Sequence, residues 1–220
     1  MPRPETELIV EKIIDLVKQS TNLVLLKNSR RKLYKPLIID VGTGTGAIVI
    51  ALAKELKCLT PLTYRRTEFL AVDISQSALK IAAQNAKIHK LNNKIKFYHS
   101  NLLASLKLTK KTSSPSISRD LIITANLPYL TPKQVKESPS ISREPRLALD
   151  GGLDGLKYYK TLFKQLGNTI YRSITIFCEI DPGQAKKITA LAGRYLPNVK
   201  SRFYKDYSGQ NRLFVVSLGE

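Results

Sequence analysis

Cysteine and histidine are scarce in this chain, with two of each among 220 residues. Cys58 and Cys178 lie far apart, each in a run that reads as buried, so no disulfide framework is supported. The sequence has no C-x-x-C pair and no Cys/His cluster, so it offers no metal site. Long apolar runs are missing too; none approaches the roughly 18–20 residues of a membrane span. The opening Met1-Pro-Arg-Pro-Glu-Thr-Glu7 lacks the basic-then-apolar order of a signal peptide. A reducing cytoplasm is therefore the expected location, with no membrane partner.

Acidic residues are few as well: 17 Asp and Glu face 36 Lys and Arg, for a net charge of +19. Clustered cations release counterions from phosphate backbones, so this balance invites a nucleic-acid reading. Most of the basic residues are scattered, and only Lys27, Arg30, Arg31, Lys32 and Lys35 form a dense block. Proximity to RNA or the ribosome is one reading of that charge; a solvated basic surface is the other. The length is that of one ordinary domain, and 43% hydrophobic residues suffice for a substantial core.

Helix and strand signals alternate along the chain. A helical period over Glu5 to Gln19 comes first, followed by the strand Leu37–Val41 and a helix from Gly46 to Lys57. The strand Phe69–Asp73, the helix Ser75–Leu91 and the strand Lys94–His99 come next. Leu121–Thr124 and Ile174–Glu179 read as strands around a helix near Leu156–Leu166. Pro182 opens a helix to about Tyr195, and two strands near Val199–Tyr204 and Arg212–Leu218 end the series across the turn Asp206–Asn211. Lys57–Thr67 and the Ser/Lys/Thr-rich Ser105–Arg119 read as loop insertions, the second of them mobile. The pattern predicts a doubly wound, mostly parallel seven-stranded sheet with an antiparallel C-terminal hairpin.

Ile39-Asp-Val-Gly-Thr-Gly-Thr-Gly46 joins the first strand to its helix. Its glycines allow a tight turn and close backbone approach to a ligand. Gly42, Gly44 and Ala47 also satisfy the loose dinucleotide pattern G-x-G-x-x-A, but Asp40 suits a cationic ligand better than a pyrophosphate. No hydride-accepting site supports a dehydrogenase. The pattern D-x-G-x-G-x-G resembles motif I of class I S-adenosylmethionine methyltransferases. That resemblance makes Asp40, Gly42, Thr43, Gly44, Thr45 and Gly46 candidate cofactor residues.

Asp73 ends the second strand, where a carboxylate can accept both hydroxyls of a ribose; an N-cap role is the plainer alternative, which Ser75 fills better. After the third strand, Asn101 and Leu102 occupy the place where such enzymes commonly set an Asp against the adenine amino group. After the fourth comes Asn126-Leu127-Pro128-Tyr129. This tetrapeptide suits the holding of a planar NH₂ group. The Asn126 oxygen and the Leu127 carbonyl can grip its two hydrogens, Pro128 fixes the turn, and Tyr129 offers a flat face. Direct displacement needs alignment rather than a catalytic Cys, His or metal.

Together these motifs resemble the release-factor glutamine methyltransferases. The matching pieces are Pro2-Arg-Pro-Glu-Thr-Glu7, Asp40 to Ala47, Ala71-Val-Asp-Ile-Ser75, Asn126 to Tyr129, Glu144 to Leu156, Glu179-Ile180 with Gln184, and Lys205 to Arg212. The resemblance implies methylation of the glutamine amide in the Gly-Gly-Gln tip of class 1 peptide chain release factors, with S-adenosylmethionine as cofactor. It also implies a helical or linker segment over residues 1–35, a methyltransferase domain over 36–220, and the absence of the family's N-terminal helical docking domain. The family's usual tetrapeptide is Asn-Pro-Pro-Tyr. Asn-Leu-Pro-Tyr is typical of rRNA adenine dimethyltransferases, so methylation of an exocyclic base amine stands as an alternative. A cofactor-binding module without transfer activity is a second.

Overall fold

The strands Leu37–Val41 (β1) and Asp120–Ala125 (β4) are buried at every position, which is why each reads as an unbroken apolar run. The structure is a computed structural model that describes residues 4–26, 34–106, 108, 120–137, 145–167, 169, 171 and 173–219. The expectations for Pro2 and Arg3, for the basic block up to Lys32, for most of the Ser105–Arg119 insertion and for Glu144 lie outside those residues.

Glu68–Asp73 (β2), Ile95–His99 (β3), Ser173–Glu179 (β5), Lys200–Lys205 (β6) and Asn211–Gly219 (β7) complete a seven-stranded sheet in the order β3-β2-β1-β4-β5-β7-β6. The first five run parallel; β7 is antiparallel to both β5 and β6 and lies between them. Strand order reverses between β1 and β4. In open α/β sheets that switch point leaves a crevice beyond the strands' carboxyl ends.

Alternation along each strand builds two cores. Leu37, Ile39 and Val41 join Leu121, Ile123 and Ala125 on one face, under Lys157–Leu166 (α6) and Ala185–Tyr195 (α7), which follow the short helix Pro132–Glu137 (α5). Ile38 and Ile122 face the other way, against Pro4–Leu26 (α1) and Ala47–Leu59 (α2). Each fully buried Ile, Leu or Phe contributes roughly 1.5–3 kcal/mol by leaving water. Gln76–Ile88 (α4) starts at Ser75, whose hydroxyl accepts from the Ala78 N–H at 3.2 Å.

The structure departs from the sequence reading in three places. Lys57–Thr67 is not a plain loop: α2 runs to Leu59 and Pro61 opens a second helix, Pro61–Arg66 (α3). A proline breaks a helix from within but suits its first position, where its missing N–H costs nothing. The first helix reaches Leu26 rather than Gln19; past the apolar pattern, the Thr21 hydroxyl donates to the Val17 carbonyl at 2.7 Å and meets Thr63 of α3 at 3.0 Å. Cys178 is buried, but Cys58 is exposed near the end of α2.

Tyr159 of α6 is fully buried below the ends of β4 and β5. Its hydroxyl lies 3.1 Å from the Ala125 carbonyl and also reaches the Glu179 carbonyl, so one phenol ties the two strand ends. Tyr159→Phe strands buried acceptors and is expected to cost about 1–3 kcal/mol. Urea unfolding checks this: the midpoint should fall while the slope holds.

Candidate active site

Two loops leave the sheet side by side at the switch point. One follows β1 and carries Gly42 to Gly46; the other follows β4 and carries Asn126 to Tyr129. They touch at Gly42, which has φ +70°, and a Cβ there would fall 2.9 Å from the Leu127 side chain. Only glycine lets the loops approach so closely. The N–H groups of Gly42 and Thr43 donate to the Val72 carbonyl at 2.9 and 3.0 Å. Asp73 fastens the loop further: its Oδ2 accepts from the Gly44 N–H and its Oδ1 from the Ser75 N–H, each at 2.8 Å.

Asp40 lies beneath this loop, not in it. It is 1% exposed, and its oxygens accept from the hydroxyls of Thr43, at 2.7 Å, and Thr124. Burial pushes its carboxyl above the ordinary carboxylate value, and those two hydroxyls pull it part of the way back. Asp40 thus meets the loop through the Thr43 hydroxyl rather than standing open at its surface. At this strand position the side chain shares the sheet face of Ile38.

Two adjoining clefts flank the tetrapeptide. The first, about 250 Å³, is lined by Asp73, Asn101 and Leu102, with Ile74, Ser75 and Leu147. The second, about 320 Å³, is lined by Thr43, Thr45 and Tyr129, with Thr6 and Leu130. Gly42, Gly44, Asn126, Leu127 and Pro128 belong to both and form the shared wall. Gly46 lines neither; it caps α2 and faces Ala82 of α4. The carboxamide of Asn126 makes no hydrogen bond to any described residue. The first cleft can take a ligand with a vicinal diol and a flat ring, because Asp73 keeps lone pairs to spare and Ile74, Leu102 and Leu147 offer apolar surface. The second can bring a polar group to Asn126.

The tetrapeptide is held from behind. The Tyr129 hydroxyl donates to Glu179 Oε1 at 3.0 Å. Gln184, in the 3₁₀ turn Pro182–Gln184, donates its side-chain N–H to the Tyr129 carbonyl at 2.7 Å and accepts from the Asp181 N–H at 3.1 Å. Leu130 bridges to Asp150: its N–H donates to Leu149, and its carbonyl accepts from Gly151. Gly155 completes the contact at φ +70°; a Cβ there would sit 2.1 Å from both the Tyr129 carbonyl and the Gln184 amide. Sequence reasoning gave no role to Gln184, Gly155, Ile74 or Leu147. All four lie in stretches already matched to a family, and Ile74 adjoins Asp73. Among the described residues no three His, Cys, Asp or Glu side chains gather as metal ligands, and no helix is long and apolar enough to cross a membrane.

Residues 36–152 match the model of a methyltransferase domain family. The chain is 33% identical over 224 residues to the release factor glutamine methyltransferase of Streptococcus pneumoniae, covering 100% of this chain and 67% of that protein. The Bacillus cereus protein of the same name is 29% identical over 215 residues, 97% of this chain and 66% of its own length. The chain thus spans about two thirds of the length of these two relatives. A solved protein-(glutamine-N5) methyltransferase (release factor-specific) from Alicyclobacillus acidocaldarius shares the fold, with a TM-score of 0.50 and 21% identity over 100% of this chain and 95% of that one.

The backing of the tetrapeptide is testable at Gly155. Gly155→Ala is expected to destabilise the protein by about 1–3 kcal/mol through overpacking and to displace Tyr129. Gln184→Leu, which removes the amide's hydrogen bonds to the Tyr129 and Asp154 carbonyls and the Asp181 N–H without forcing a backbone clash, should cost less than the alanine variant. Thermal or urea unfolding of the pair would show the order; equal losses would mean that the tight approach is not what matters.

Proposed function

Because the chain belongs to the release factor glutamine methyltransferase family, we propose that it methylates the side-chain amide nitrogen of the glutamine in the Gly-Gly-Gln tip of class 1 peptide-release factors, using S-adenosylmethionine. The observation that carries this reading is Asn126, whose carboxamide has no partner among the described residues where the two clefts meet. Translation termination in the cytoplasm is the setting it implies.

The first cleft fits the cofactor. Asp73 can accept the ribose hydroxyls while still holding the Gly44 and Ser75 N–H groups. Ile74, Leu102 and Leu147 suit the faces of an adenine, and the Asn101 amide oxygen suits its amino group. When bound, S-adenosylmethionine supplies a methyl group made electrophilic by its sulfonium.

An amide nitrogen is a poor nucleophile because its lone pair is delocalised into the carbonyl. On this reading Asn126 Oδ1 accepts one N–H of the substrate amide and the Leu127 carbonyl accepts the other. That grip localises the lone pair and aims it across the shared wall, which is alignment rather than acid–base chemistry. Pro128 holds the turn. Tyr129, tied to Glu179, lays its ring beside the planar group. Thr43 and Thr45 line the approach of the tip, and Asp40 acts at one remove by orienting Thr43.

Leu127 bears on the choice between glutamine and base. Its side chain is 3% exposed and packs on Gly42. Leucine for the family's usual proline alters the packing under the loop, while the backbone carbonyl remains available as an acceptor. The departure therefore does not count against a glutamine substrate.

Tritiated S-adenosylmethionine offered with a release factor, its tip Gln-to-Ala variant and rRNA should label the unaltered release factor alone. Label in the RNA would overturn the reading. Asn126→Ala is expected to lower transfer by at least about 100-fold, the order seen when one positioned hydrogen-bonding group at a reacting centre is removed. Cofactor affinity should hold within about twofold. Asp73→Ala should weaken cofactor binding by about 10-fold or more, as for loss of charge-assisted hydrogen bonds. Calorimetric titration separates the two, and equal loss of cofactor binding in both variants would contradict the division of roles.

A further inference from the structure

A third depression, of about 570 Å³, lies at the amino ends of β1, β2 and β3, the opposite edge of the sheet from the two clefts. Lys35, Arg65, Arg66, Lys94 and Lys96 line it, against the single carboxylate of Glu68. These cations come from three separate segments: the approach to β1, the last turn of α3 and the start of β3. Lys35, Arg65 and Lys96 are exposed. Lys94 is fixed in place, its ammonium 4.6 Å from the Tyr64 ring centre and donating to the Arg65 carbonyl at 3.3 Å.

Beside the depression runs β3, an edge strand. Ile95 and Phe97 turn into the second core, so Lys96 and Tyr98 turn outward together. Tyr98 is 41% exposed. A cation and a flat ring thus alternate with core residues along an open strand face. That pairing suits a nucleic-acid single strand, in which phosphates and bases recur together.

We propose that this depression and the adjoining face of β3 bind single-stranded RNA, the cations meeting phosphates and Tyr98 stacking on a base. Five cations spread over several strand ends exceed what one small anion needs. An acidic protein surface would satisfy the charges but would leave Tyr98 without a role. The cation depression lies at the amino ends of the strands and Tyr98 further along the outer face of β3, and none of these residues lines either methyl-transfer cleft. This inference stands on the groove and on the chain's charge of +19, not on the identity of the methylated group.

Fluorescence anisotropy of a labelled oligouridine with the full chain tests it across a salt series. Affinity should fall with salt on a log–log slope of about −0.7 for each phosphate neutralised, three or more in all. Arg65→Glu with Lys96→Glu should lower affinity at least about 10-fold and flatten that slope by about 1.4. Tyr98→Ala should lower affinity about fivefold or more with the slope unchanged, as for loss of one stacked base. Lys186→Glu with Lys187→Glu, an equal charge change on exposed positions of α7, should stay within about twofold. Equal losses from the two double variants would overturn the proposal in favour of bulk charge. Displacement of the RNA by polyglutamate at equal charge concentration would overturn it in favour of an acidic protein partner. Methyl transfer to an isolated release factor should be unaltered in Arg65→Glu/Lys96→Glu, and RNA binding unaltered in Asn126→Ala, so either reading can fail alone.

Discussion

The site depends on the register of two parallel strands. Val41 stands opposite Ala125, so the chain leaves the sheet at Gly42 and Asn126 in neighbouring positions. Both strands are buried on both faces, and apolar side chains alone would tolerate a slip poorly but not uniquely. Asp40 and Thr124 make the choice specific. They are cross-strand partners, and the threonine hydroxyl donates to the buried carboxyl. A slip by one residue would leave that carboxyl buried without its partner, at a cost of several kcal/mol. The same carboxyl accepts from Thr43, so the lock on the strands also shapes the loop that follows them.

The second loop is held mainly through its backbone. Gln184 grips the Tyr129 carbonyl, Leu130 exchanges hydrogen bonds with Leu149 and Gly151, and Gly155 lets the chain come close behind. Asn126 is left out of this network. A scaffold that satisfies the neighbouring carbonyls and leaves one carboxamide unpartnered keeps that amide's hydrogen-bonding capacity open at the meeting of the two clefts.

Much of this was legible in the sequence. Strands buried on both faces announce themselves as short apolar runs, and the glycine loop and the tetrapeptide declare where β1 and β4 end. Asp73, Asn101 and Asn126 do line the first cleft, as their positions at the end of β2 and after β3 and β4 suggest. What failed was direction. The burial of Asp40 was not legible, because a motif gives spacing and not which face of the sheet a side chain takes. Pro61 read as a loop marker because the same residue that breaks a helix also begins one. Cys58 read as buried from its apolar neighbours, although the helix turns it outward. Gln184 and Gly155 carried no legible role, since their work is to meet a backbone carbonyl far away in the chain.

The place of β7 has a consequence for how the sheet is assembled. It follows β6 in the chain yet lies between β6 and β5. Until β7 emerges, β5 has an open hydrogen-bonding edge and β6 has no strand to pair with. A nascent chain that has already made every loop of both clefts therefore still exposes a sticky strand border, the kind that recruits wrong partners. Because β6 reaches the sheet only through β7, neither strand closes that border without the other.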